Sequence, residues 1–247
     1  MNLFITLIAG LFVLVGTFFA FYTKKNKSML SFSICIAFSI LIILGLFELL
    51  PESFELLTLN STALGIISLI IAISIGYVVL KLLDMFIPHH EHNHKHDKDH
   101  HKNLHHVGLV GAIALIIHNL IEGAALYNAL NINLGSGLMM GLAIAIHNIP
   151  LGMFVAASLY KSTKNKGKVL VISLLIALSM FLGGILSHLI PMGEFLEGIL
   201  LAITFGMIMY IALFELFPHI KEMKKKRLRM TGLVFGIIIM VVSMMIH

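Results

Sequence analysis

Residues 107–130, VGLVGAIALIIHNLIEGAALYNAL, decide how the chain is read. As a helix this run is about 36 Å long, enough to cross the roughly 30 Å hydrocarbon core of a bilayer. Inside it stand His118 and Glu122, with apolar residues on either side. Ionisable groups at membrane depth are costly unless they pair, bind an ion or face water, so they mark a pathway or a site.

Working outward, apolar runs near 1–22, 29–50, 62–87, 135–160, 169–190, 196–217 and 230–246 bring the total to eight candidate spans. Of 247 residues 59% are hydrophobic and 12% charged, against about 45–50% and about 25% in a typical soluble domain. The expectation is an all-α polytopic membrane protein, a single transmembrane domain over 1–247 in a lipid bilayer. The first run has no basic region before it, and Lys24, Lys25 and Lys27 follow it, so it reads as a retained span and not a signal peptide. The one cysteine, Cys35, leaves neither a disulfide framework nor a Cys-based zinc cluster.

Charge sets the topology. The loops after spans 1, 3, 5 and 7 hold 16 of the 17 lysines and arginines, and the opposite loops carry only acids, Glu52, Glu55, Glu194 and Glu197. By the positive-inside rule the basic loops are cytoplasmic and both termini lie outside, as expected of a multi-pass protein of the cell (plasma) membrane. The net charge of +5 therefore reports orientation, and no nucleic acid partner is expected.

Leu46-Phe47-Glu48-Leu49-Leu50-Pro51 ends span 2, and Leu213-Phe214-Glu215-Leu216-Phe217-Pro218 ends span 7. The two runs cross in opposite directions, so spans 1–3 and 6–8 read as an inverted repeat around spans 4 and 5, an architecture common among transporters. Glu48 and Glu215 are candidate gate or pathway residues. Beside prolines near span ends, they also suit side chains that reach interfacial water.

His118 and Glu122 are four apart on one helix face, and His118 lies about 17 Å from Val107. In the antiparallel span 5, His147 lies about 18 Å from Gly135, at nearly the same depth. Each histidine opens a similar segment, His118-Asn119-Leu120-Ile121-Glu122-Gly123 and His147-Asn148-Ile149-Pro150-Leu151-Gly152. Two imidazoles and one carboxylate suit a divalent first-row ion such as zinc, with an amide oxygen or water completing the shell. The alternative is a set of interhelical hydrogen bonds, for example His118 to Asn148, without an ion. His188, near the end of span 6, reads as an interfacial side chain.

The segment 88–106 carries nine histidines, His89, His90, His92, His94, His96, His100, His101, His105 and His106. It is expected to be a disordered cytoplasmic loop that binds metal loosely, as a buffer, sensor or delivery arm.

Over its whole length the chain resembles the ZIP (Zrt/Irt-like) family of divalent metal transporters. The resemblance rests on the paired span 4 and 5 segments, the His-rich loop before span 4, the Glu48-Leu49-Leu50-Pro51-Glu52 ending of span 2, and Gly206-Met207-Ile208-Met209-Tyr210 leading to Glu215-Leu216-Phe217-Pro218. It implies an eight-helix 3+2+3 fold, uptake of zinc or a related ion (iron, cadmium, cobalt or nickel) into the cytoplasm, and ligands on spans 4 and 5. It also implies movement of one helix group against another. The metal is cargo; no catalytic cofactor is expected, and small-residue faces permit a homodimer.

The chain departs from the family pattern at the metal centre. Leu151 stands where span 5 usually has a glutamate, and Met180 where span 6 usually has another. Of three expected carboxylates Glu122 alone remains, too little negative charge to hold two dications side by side. The expectation is a single-metal site of His118, Glu122 and His147, with Asn119, Asn148 and the Met180 thioether nearby. Rival readings are a metal-binding sensor or scaffold that does not transport, and an intramembrane zinc hydrolase. The hydrolase lacks a second carboxylate to serve as general base.

Overall fold

The computed structural model describes residues 1–22, 27–86, 96–190 and 193–246, with backbone alone for 27 and 96–103. Among them are eight helices long and apolar enough to cross a membrane: α1 (Asn2–Tyr22), α2 (Ser28–Thr58), α3 (Thr62–Phe86), α4 (Leu104–Ile132), α5 (Leu134–Thr163), α6 (Lys166–Leu189), α7 (Glu194–Lys221) and α8 (Lys226–Ile246). The protein is an all-α polytopic membrane protein, with every expected span present.

Two differences from the sequence reading are physical. The helix that carries α4 begins at His96, so the tract expected to be disordered over 88–106 is helical from there on. His96, His100 and His101 are backbone-only positions in that helix, and His89, His90, His92 and His94 lie outside the described residues. Secondly, α2 and α7 continue through their prolines. Gly45–Leu49 and Ile211–Leu216 are π-helical turns, and Leu50 and Phe217 donate their N–H to Gly45 and Ala212, five residues back. Pro51 and Pro218 have no N–H to give, and each ring would press on the carbonyl four residues earlier. The wider turn before each proline carries the helix past it, and such turns often mark functional positions. Both copies of the repeated motif thus adopt the same irregularity, with Glu48 and Glu215 on it.

Glycines lock the helices into groups. In α1, Gly10 and Gly16 lie against the carbonyls of Ala177 and Ile149, and in α5 Gly152 lies against that of Val13. Gly123 of α4 meets the Met180 carbonyl of α6, and Gly183 of α6 meets that of Leu120. A β-carbon at any of these would collide with backbone, so α1, α4, α5 and α6 pack at a separation only glycine allows. Gly76 and Gly206 join α3 to α7 in the same way, and Gly236 joins α8 to α2. Between these groups α5 runs along α2 and α8.

Candidate metal centre

The site sits where α4 and α5 cross at mid-length. Asn133 caps α5 by accepting from the Ser136 N–H, fixing the start of a helix that continues through Pro150 to Thr163. That proline frees the carbonyl of Ile146, beside His147, from its helical bond. On α4, the four-residue spacing sets His118 and Glu122 on one face, Nε2 to Oε2 at 3.6 Å. From α5, Nε2 of His147 comes within 3.0 Å of Glu122 Oε1. The imidazole centroids are 6.3 Å apart, and one ligand atom from each of the three residues lies within 4.8 Å of the others.

All three side chains are buried: His118 and His147 are 1% exposed and Glu122 is 7%. Their polar atoms are poorly satisfied by the protein itself. Nε2 of His118, Oε2 of Glu122 and both ring nitrogens of His147 have no aligned hydrogen-bond partner. Asn148, fully enclosed next door, makes no side-chain hydrogen bond, and Asn119 donates to the Ile176 carbonyl at 3.1 Å while its own Oδ1 is unpartnered. A buried polar atom without a partner costs about 1–3 kcal/mol, and this cluster gathers several lone pairs around one point. The hydrogen-bonded alternative with His118 bound to Asn148 is not formed.

Leu151 and Met180 are apolar in company as well as in kind. Leu151 belongs to the main core with Val13, Phe154 and Val155. Met180 packs in a cluster with Ala9, Ala125, Leu126 and Ile144, and it meets α4 through its carbonyl at Gly123.

A second cluster lies toward the basic end of the molecule. Asp84 of α3, His106 at the start of α4 and Glu215 on the α7 π turn are all buried, with ligand atoms within 4.8 Å. His106 Nε2 contacts Asp84 Oδ1 and stands 3.9 Å from Glu215 Oε1, and the Tyr210 hydroxyl donates to Asp84 Oδ2 at 2.7 Å. The sequence reading named Glu215 and His106 separately, named Tyr210 only as part of a motif, and missed Asp84. Asp84 is the only acid in the third apolar run, and that was the available signal. Glu48, the counterpart of Glu215, is half-buried in α2 and makes no such cluster among the described residues. Of the remaining histidines, His105 is hydrogen-bonded to the Ser162 hydroxyl at 3.3 Å, and exposed His188 to that of Tyr127 at 2.6 Å.

Below the second cluster, a cavity of about 380 Å³ opens between the ends of α2, α4, α5 and α7. Ile34, Leu104, Lys161, His219 and Met223 contribute to its walls.

Residues 88–244 match the model of the family described as ZIP zinc transporter. The chain is also similar to the zinc transporter ZupT of Chlorobaculum parvum, 32% identical over 98% of this chain and 96% of that protein. With the ZupT of Streptococcus mutans serotype c the identity is 31%, over 98% and 96% of the two chains. With that of Clostridium perfringens it is 28%, over 98% and 94%.

Proposed function

The chain belongs to the ZIP family of zinc transporters, and from that membership we propose that it carries zinc across the cell membrane into the cytoplasm through one metal site at His118, Glu122 and His147. Divalent metal transport is the function of the family, and the protein is a multi-pass membrane transporter and not an enzyme. The observation that carries the finer reading is the set of three buried residues, midway along α4 and α5, whose candidate ligand atoms fall within 4.8 Å of one another.

Two imidazole nitrogens and one carboxylate supply three ligands of a tetrahedral zinc, and an oxygen of Asn119, Asn148 or water supplies the fourth. One carboxylate balances half the charge of one dication, so a second ion beside it would be repelled at low dielectric. Burial of Leu151 and Met180 in apolar clusters supports a mononuclear centre. The cation next reaches Asp84, His106 and Glu215, whose two carboxylates compensate it on the way to the basic side. Glycine-locked groups of helices move against one another as bodies to expose the midplane site to each side in turn. Positive-inside reasoning makes the basic side cytoplasmic. Iron, cadmium, cobalt and nickel remain candidate cargo, since borderline donors accept them as well.

A sensor or scaffold that binds metal without moving it is the second reading, favoured by the missing carboxylates. Purified protein in liposomes, offered a panel of divalent ions, separates the two: saturable zinc entry supports the carrier, and tight binding without entry supports the sensor.

A further inference from the structure

Among the described residues, side-chain hydrogen bonds cross between the helix groups at both halves of the molecule, and at the acidic end Asn128 of α4 donates one to Glu197 of α7. On the basic half His106 of α4 meets Asp84 of α3. On the opposite half the Ser243 hydroxyl of α8 donates to the Ala143 carbonyl of α5 at 2.9 Å. Ser243 is 1% exposed and lies three residues from the last residue of α8, Ile246. Ala143 is about 14 Å along α5 from Leu134.

The acceptor is placed with consequence. In a continuous helix the Ala143 carbonyl is the partner of the His147 N–H, four residues on. The Ser243 hydroxyl therefore bonds to the carbonyl end of the turn that carries a metal ligand, and it reaches there from the other helix group. Gly236, seven residues before Ser243 on α8, is pressed against the Ile36 carbonyl of α2, which fixes α8 to its own group. Any sliding of α5 along α8 has to break this bond. In the conformation described, the acidic half is tied by it and by the Asn128–Glu197 bond, and on the basic half the His106–Asp84 contact joins the groups near a cavity at the ends of α2, α4, α5 and α7.

We propose that Ser243 is a positioning residue of the transport cycle: its hydroxyl ties α8 to the His147-bearing turn of α5 and contributes to holding the acidic half closed. The inference rests on the transport reading. One hydrogen bond of ordinary net worth sets the population of the closed form by a factor of about two to ten.

Threonine and valine at position 243 have the same shape and differ in the hydroxyl, so packing effects cancel between Ser243→Thr and Ser243→Val. The reporter is Met240→Cys, on the same face of α8 and fully buried, in a Cys35→Ala background so that it is the sole thiol. Full-length protein in liposomes is labelled with a membrane-impermeant maleimide applied from the acidic side. The tie predicts labelling two- to tenfold faster in Ser243→Val than in either the unmodified or the Ser243→Thr protein. Equal rates in Val and Thr variants overturn it, as does acceleration in both. Zinc entry measured on the unmodified protein in the same vesicles tests the transport reading separately. A protein that moves no zinc defeats that reading, whereas a protein that transports but labels equally defeats only the tie.

Discussion

Nε2 of His147 on α5 and Oε1 of Glu122 on α4 stand 3.0 Å apart in the buried middle of the bundle. Glu122 is thereby shared by both imidazoles, since its other oxygen faces His118. A ligand that touches both partners should dominate affinity. Glu122→Gln keeps the shape and removes the charge, and is expected to weaken zinc binding at least 100-fold by calorimetry. His118→Ala and His147→Ala, each removing one of the three proposed ligands, should fall in the same range. An affinity within threefold of the unmodified protein in any of them would contradict the assignment.

Much of this centre was legible in the sequence because it depends on short-range geometry. The four-residue step from His118 to Glu122 fixes their common face, and depth along two antiparallel helices brings His147 level with them. The second cluster was not, because Asp84, His106 and Glu215 come from three helices and their meeting depends on how each is rotated. The π turn adds a residue to the α7 winding and turns Glu215 in a way no regular period gives. The direction of Met180 was equally hidden: its register could be guessed, but its packing beside Ala9 and Ile144 could not.

Leu151→Glu tests the single-metal argument. The position is fully enclosed in the apolar core, so an unpaired carboxylate there should cost several kcal/mol without metal. The variant is expected to melt lower than the unmodified protein in chelator, to regain stability in zinc by ligand linkage, and to bind two zinc ions where the unmodified protein binds one. Two tightly bound ions in the unmodified protein, counted by elemental analysis, would contradict the mononuclear site.

Asp84→Asn and Glu215→Gln remove charge from the cluster toward the basic side and leave the midplane ligands in place. Zinc flux should fall about tenfold or more, while the calorimetric affinity of the midplane site changes by less than threefold. A parallel loss of affinity would show that the two clusters are one site.

Gly183→Ala places a methyl group onto the Leu120 carbonyl of α4. Overpacking of this kind costs about 1–3 kcal/mol, so a lower melting temperature is expected in detergent. The loss should persist in the presence of zinc, because the change disturbs the packing of α4 on α6 and not the ligands. An unchanged melting temperature would show that these helices have slack.

Zinc uptake into proteoliposomes, compared between the unmodified protein and Glu122→Gln at equal reconstitution, tests the central claim most directly. The account predicts saturable uptake by the unmodified protein and uptake at the level of empty vesicles for the variant. Equal uptake by both would show that the cargo does not pass through the site formed by His118, Glu122 and His147.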